Sequence, residues 1–277
     1  MEIIALIDNS PAEDARLTAE HGLALLVLAH GRRVLFDAGA SRALVDNADQ
    51  LGLGADFAEL DAIVLSHGHY DHTGGLAAVL ERARQPTSVH VRPGFFRLRL
   101  STRRGEPRAI GVPFERERLE MLGAHFVEEH EPRRLFTGFW LSGEIPLRAE
   151  LDAGEQSLLL GHTPEAAVPD PFTDEQAMAV ATPEGLAVLV GCSHRGLVNS
   201  ILAAKAAAGG LPAHIVLGGA HLHSASRAKI EWTTGETRRL VRLAAPGHCT
   251  GPEAEAAFAE AFGRERHALR TGWRWAA

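Results

Sequence analysis

Residues 65–75 read LSHGHYDHTGG and place His67, His69, Asp71 and His72 within six positions, directly after the apolar run DAIVL. Imidazole and carboxylate together suit Zn, Mn or Fe, and no set of thiolates is present to lock a purely structural zinc. In an extended segment alternate side chains point the same way, so His67 and His69 can aim at one point. A turn through Tyr70 then lets Asp71 and His72 face a neighbouring point. Four donors from one segment do not complete a two-metal centre, which needs about two more from elsewhere. VLVGCSH places His194 at the end of an apolar strand just before a helix, and APGHCTG places His248 at a similar corner. Taken singly each would be a turn or capping histidine; beside HGHYDH both read as ligands. A metal with an open position lowers the pKa of bound water to about 7. The chemistry expected is therefore metal-assisted attack on an ester, lactone, amide or phosphoester.

The elements that must hold these residues can be read from the apolar runs. EIIALI, LALLVLA and RVLFDAG read as strands, the last two joined by a tight turn at His30-Gly31. Ser41 is the expected N-cap of a helix reaching about Leu51. DAIVLS (61–66) is short enough for a buried strand, with the histidine motif at its C-terminal end, where α/β proteins usually place their chemistry. Gly74-Gly75-Leu76 opens a helix to about Arg84. Residues 85–150 are an irregular, lid-like insertion rich in Pro, Gly and Arg, in which SVHVRP and AHFVEE read as strands and FERERLEML as a helix. FWLSGEIPLRAE carries a tight Gly and Pro corner, and the Pro-rich segment 161–176 reads as a lid-like loop over the surface. AMAVAT and GLAVLVG form a second hairpin broken at Pro183-Glu184. A helix over about Gly196–Ala208, a strand AHIVLGG, a helix TGETRRLVRLA, a strand end APGHCT, a helix PEAEAAFAEAF and a closing strand pair HALRTGWRW complete the chain. With no linker and no internal repeat, residues 1–277 are read as one domain, a layered α/β sandwich with helices outside two sheets.

Bulk composition excludes several classes. A hydrophobic content of 45% against 23% charged residues fits a globular protein with a sizeable core. The net charge of −7 argues against nucleic acid as the main partner. Arg97, Arg99, Arg103, Arg104 and Arg108 form a local group that reads first as a solvated basic loop and second as a site for a small anionic ligand. The longest apolar run, Leu23 to Ala29, is far below a membrane span, and MEIIALIDN lacks the basic start of a signal peptide. A cytoplasmic location is expected. Two cysteines, Cys192 and Cys249, cannot build a disulfide framework.

VLFDAG, LSHGHYDHTGGL and the later strand-end histidines together resemble the metallo-β-lactamase superfamily. More narrowly, GHYDHTGGL, GEIP, GCSH, LGGAHL and GHCTG resemble its branch of dihydropterin-linked aminobenzene ribofuranosyl phosphate synthases, with motifs running from about residue 8 to residue 251. The resemblance implies an αββα sandwich of two mixed β-sheets flanked by helices, with two divalent metal ions between the sheet edges. By motif matching, His67, His69 and His194 would hold one metal and Asp71, His72 and His248 the other, zinc first and Mn or Fe as alternatives. Asp37 in VLFDAG matches a family aspartate that braces the metal-binding loop; its alternative is a turn-forming Asp after a strand.

Two departures stand out. Most members carry a bridging Asp at the end of the strand that here reads VLVGCSH, where this chain offers Cys192 and Ser193. Asp174 in TDEQA is the candidate replacement, with a capping role as the equal alternative. Many members take a ligand from an HTPGH-type loop, of which His162 in GHTPE is the trace; His194, at a strand end, is preferred. The cysteines are not expected as ligands beside so many histidines. His221 in LGGAHL is expected to contact substrate or a phosphate, His21 to line the mouth, and Tyr70 to pack first and bind substrate second. Asp71, beside the bridging position, would orient the nucleophile or relay its proton. The reaction expected is hydrolysis of a small, anionic or phosphorylated substrate. The branch resemblance supplies an alternative, condensation of a dihydropterin diphosphate with an aminobenzoate-type amine. The third reading is a metal-bound sensor without catalysis.

Overall fold

The computed structural model describes residues 1–103, 105–148, 157–161 and 163–277. In chain order the first half contains β1 (Glu2–Ile7), β2 (Ala24–Ala29), β3 (Arg32–Phe36), α1 (Ala43–Gln50), α2 (Gly54–Ala58), β4 (Ala62–Val64), α3 (Tyr70–Thr73), α4 (Leu76–Arg82) and β5 (Thr87–Val91). Next come β6 (Leu98–Ser101), β7 (Arg108–Ala109), α5 (Arg116–Met121), β8 (Ala124–Glu128), β9 (Arg133–Phe136) and β10 (Phe139–Leu141). The remainder holds β11 (Leu158–Gly161), β12 (Val168–Pro169), β13 (Met178–Thr182), β14 (Gly185–Val190), α6 (Leu197–Ala207) and β15 (Ala213–Gly219). It closes with α7 (Arg227–Leu240), β16 (Leu243–Gly247), α8 (Pro252–Phe262) and β17 (Arg274–Ala276).

Two mixed sheets carry the architecture, ordered β17-β1-β2-β3-β4-β5-β8 and β16-β15-β14-β13-β10-β9. Their strands are apolar on both faces because both faces are covered. In β1, Ile3 and Ala5 enter the core between the sheets, while Ile4 and Leu6 enter the core beneath the outer helices. In β14, Ala187 and Leu189 face the other sheet, and Leu186, Val188 and Val190 face the helices. Leu44, Phe57, Val79 and Leu119 seal the first sheet from α1, α2, α4 and α5. Ile201, Ile230 and Phe258 seal the second from α6, α7 and α8. This is the αββα sandwich expected from the sequence, and both expected hairpins, β2–β3 and β13–β14, are antiparallel pairs.

Several expectations about elements need correction. Ser41 stands one residue before the cap position, Arg42, and its hydroxyl still accepts from the Ala43 N–H of the first turn at 3.1 Å while donating to Glu20 Oε2 at 2.7 Å. Helix α7 starts at Arg227, where Ser226 caps it by accepting from the Lys229 N–H. It ends at Leu240 because Leu243 onwards pairs with β15. The closing strand pair is one strand, β17, together with an isolated bridge between Arg266 and Ala244. Residues 85–150 are not a lid-like insertion throughout, since β5 and β8 belong to the first sheet and β9 and β10 to the second. β6 and β7 join β11 and β12 in a four-stranded sheet β12-β11-β6-β7, a pairing between distant stretches that no local pattern announces. The Pro-rich segment is not a surface loop throughout: Asp170, Phe172, Asp174, Glu175 and Gln176 are buried. Among the described residues no helix is long and apolar enough to cross a membrane.

Candidate metal centre

Strand ends build the site. β14, β15 and β16 run parallel and deliver Cys192 with His194, His221 and His248 at their C-terminal ends. In the facing sheet β1 leads to Asp8 and Asn9, and the parallel pair β3 and β4 leads to Asp37 and to Ser66-His67. The chain turns sharply after each strand. Asp37, Phe172, Ser193, His221 and His248 all take left-handed backbone conformations, with φ between 47° and 61°. Such residues cost about 1–3 kcal/mol each and gather where a side chain must be aimed. Gly191 is required where β14 passes the histidine loop, because a Cβ there would lie 2.1 Å from Ser66 Oγ. The histidine motif itself is a bend through Gly68 followed by the single turn α3, rather than the extended segment assumed from spacing.

Two sets of donor atoms converge. His67 Nε2 lies 3.0 Å from His69 Nδ1 and 3.3 Å from His194 Nε2. Beside them, His72 Nε2 lies 3.1 Å from His248 Nε2, and Asp71 Oδ2 lies 3.5 Å from His248 Nε2 and 3.8 Å from His72 Nε2. Ligands held tetrahedrally at about 2.0–2.1 Å from a zinc ion stand about 3.3 Å apart, so both spacings match a metal's coordination shell.

The far side of each ring fixes which nitrogen carries the proton. Asp37 Oδ2 accepts from His72 Nδ1 at 2.7 Å and from Ser66 Oγ at 2.8 Å. Ser66 Oγ in turn accepts from His67 Nδ1 at 2.9 Å. Asn9 Oδ1 accepts from His248 Nδ1 at 2.9 Å and from the Gly22 N–H at 3.0 Å. With Nδ1–H engaged in each case, the Nε2 atoms of His67, His72 and His248 all point into the centre. Nitrogens this close must share either a proton or a cation, and a divalent ion can take the place of the proton between the His72 and His248 rings. The donor set therefore fits divalent metal ions.

Electrostatics in the protein without metal keep four of the rings neutral and set His72 apart. Burial holds His67, His69 and His194 well below the usual histidine range, and pushes His248 down to about 4. Burial opposes charge on His72 too, but the Asp37 and Asp71 carboxylates raise it to about 9. Burial would raise Asp71, yet His72, His21 and His248 hold it well below the ordinary carboxylate range.

The structure brings His67, His69, Asp71, His72, His194 and His248 together as ligand candidates. Asp37 orients two of their rings, so it is no mere turn former. His21 donates from Nε2 to Asp71 Oδ2 at 3.0 Å and lies at the exposed mouth. Tyr70 is 38% exposed beside the His21 ring, which overturns core packing as its first role. The His221 ring lies 4.2 Å from that of His194. Asp174 Oδ2 accepts from the Gly68 N–H at 2.9 Å and pairs with Arg99 at 2.7 Å, so it braces the histidine bend and is not a bridging carboxylate. Arg99 is buried between Asp170 and Asp174, against the expectation of a solvated arginine. Arg104 and His162 lie outside the described residues.

Sequence reasoning missed several supports. Glu175 accepts from the His194 and Arg195 N–H groups at 2.7 Å each, and burial raises it to about 7 despite those bonds. Phe172 stacks on His194 with ring centres 4.0 Å apart. Asp8 accepts from the His248 N–H at 2.8 Å. Asp8 and Asn9 follow an apolar strand as the histidines do, a signal available but unused. Cys192, not expected as a ligand, has its Sγ 3.2 Å from His72 Nε2 and 3.3 Å from His248 Nε2.

Comparison with known proteins agrees with this geometry. The family model of the metallo-beta-lactamase superfamily matches residues 17–207. The 7,8-dihydropterin-6-methyl-4-(beta-D-ribofuranosyl)-aminobenzene-5'-phosphate synthase of Methanocaldococcus jannaschii is 28% identical, over 98% of this chain and 95% of its own. The crystal structure of a metal-dependent hydrolase of the beta-lactamase superfamily is 30% identical, covers 100% of this chain and 99% of its own, and superposes with a TM-score of 0.83. Zinc-bound PqqB from Methylobacterium extorquens shares the fold at 13% identity, with a TM-score of 0.58 and full coverage of both chains at 100%. Matched over most of its length, the chain is an enzyme that belongs to the metallo-beta-lactamase superfamily.

Proposed function

We propose that the chain is a hydrolase that uses two divalent transition-metal ions, zinc foremost, on a small anionic or phosphorylated ester, lactone or phosphoester. The observation that carries this reading is the convergence of two three-residue donor sets at the rim between the two sheets, with the Nε2 atoms of His67, His72 and His248 aimed inward by bonds on the far side of their rings. Held by His67, His69 and His194 and by Asp71, His72 and His248, the ions would supply a nucleophilic water at neutral pH and polarise the substrate oxygen.

The chain's own residues do the rest. Asp71 stays ionised and can accept a proton from the attacking water. His21, hydrogen-bonded to it and half exposed, offers that proton a route to solvent. On the other flank a cavity of about 220 Å³ opens beside His194 and is lined by Ser193, His221, Ser224 and Lys229 among others. Lys229 and His221 give it donors suited to an anionic group, while Asp37 and Glu175 hold the ligand loops rigid. The test is metal analysis of protein purified without added metal, paired with turnover of simple phosphodiesters and lactones. Two ions per chain with turnover that stops on chelation is the expected result; turnover unaffected by complete metal removal would contradict it.

A second reading is favoured by the end-to-end similarity to the archaeal synthase: condensation of a dihydropterin diphosphate with an aminobenzoate-type amine. In that case the same donors would serve to stabilise the departing pyrophosphate. Pyrophosphate released only when both substrates are present would support it. Turnover of a simple ester alone would support hydrolysis.

A further inference from the structure

The two donor sets need a group between them, and the chain lacks the carboxylate expected there. Every nearby candidate but one is committed elsewhere. Ser193 Oγ donates to the Gly219 carbonyl at 2.8 Å. Asp174 Oδ2 is held by Gly68 and Arg99, and among the described residues neither of its oxygens falls in a donor cluster with the histidines, while both oxygens of Glu175 accept backbone N–H groups. Asp37 lies behind the rings of His67 and His72. That leaves Cys192, buried at the end of β14.

Its sulfur touches both sets. Cys192 Sγ is 3.2 Å from His72 Nε2 and 3.3 Å from His248 Nε2. It also lies within 4.8 Å of the donor atoms of His67 and His194. Neutral imidazoles and the single carboxylate Asp71 would leave two divalent ions poorly compensated. A thiol beside such a cation loses its proton outright and adds a second negative charge. A thiolate has lone pairs enough to bind two ions at once. Cys249, by contrast, sits behind Cys192, with its sulfur 3.6 Å from the Cys192 carbonyl oxygen.

We propose that the Cys192 thiolate is a ligand shared by both metal ions, standing where a bridging carboxylate is absent from this chain. The inference rests on the two-ion reading given above, and binding would release the thiol proton to solvent.

Zinc X-ray absorption on the unaltered protein, loaded to saturation, tests it alongside zinc content. The result expected is two zinc ions per chain and one sulfur neighbour per zinc at about 2.3 Å. Cys192→Ser should remove the sulfur signal and lower retained zinc from two ions to one. Cys192→Asp should keep two ions with no sulfur, and Cys249→Ser should leave both signals unchanged. Half a sulfur per zinc would show a ligand to one ion only and overturn the shared role. Two zinc ions without sulfur, or a sulfur signal that survives Cys192→Ser or vanishes in Cys249→Ser, would overturn the assignment while leaving the two-ion reading intact. Fewer than two zinc ions in the unaltered protein would overturn both.

Discussion

At the scale of single residues, Asp37 does the most with the least. One buried carboxylate takes the Nδ1 proton of His72 directly and that of His67 through Ser66, so it aims two ligand nitrogens at once. Asp37→Asn should weaken metal binding about 10–100-fold, measured by competition with a chromophoric chelator. His69→Ala and, separately, His194→Ala should lower metal content, and unchanged content in either variant would refute that ligand. Asp8 offers a test by pH. Burial raises it from about 3.8 to about 6, against its bonds to the Ser10 and His248 N–H groups. The folded state thus keeps a proton that the unfolded chain gives up sooner, and stability falls as pH rises from 3.8 through 6. Asp8→Asn removes that dependence. Its stability relative to the unaltered protein should improve by about 3 kcal/mol between acid and neutral pH, read by urea denaturation at each pH.

At the scale of elements, the site is the sum of turns that follow strands. Which strands end in candidate ligands was legible, because an apolar run ending in His, Asp or Asn is a local pattern. His194 and His248 could be chosen on that ground before any contact was known. What was not legible depends on partners far apart in the chain. The segment 161–176 reads as surface from its prolines and acids, yet Asp170 and Asp174 are buried because Arg99, from β6, lies between them. Nothing near Arg99 marks it as a core residue. Arg99→Met should cost about 3–5 kcal/mol in thermal or chemical unfolding, since it strands two buried carboxylates. Cys192 was passed over for a similar reason: beside a histidine in sequence it looks redundant, and only the closeness of β14 to the histidine bend puts its sulfur between the rings. That closeness depends on Gly191. Gly191→Ala should force Ser66 and Asp37 aside and reduce metal retention together with stability, by about 1–3 kcal/mol in unfolding.

At the scale of the whole molecule, the two sheets act as a clamp. Each contributes strand ends to one rim of the sandwich, and neither alone holds a complete donor set: His67, His69, Asp71 and His72 come from one sheet, His194 and His248 from the other. The layered fold could be inferred from the apolar runs and their hairpins. The small third sheet could not, since β6 and β11 are separated in the chain by β8, β9 and β10 of the two main sheets. Because the donor sets span both sheets, metal binding should couple to the docking of the sheets, and metal removal should lower the unfolding temperature. The most direct test is a crystal structure with anomalous scattering measured at the metal edge. The result expected is two ions, one within about 2.0–2.5 Å of His67, His69 and His194 and the other at that distance from Asp71, His72 and His248. Ions bound to the histidine bend while His194 or His248 stands beyond that reach would contradict it.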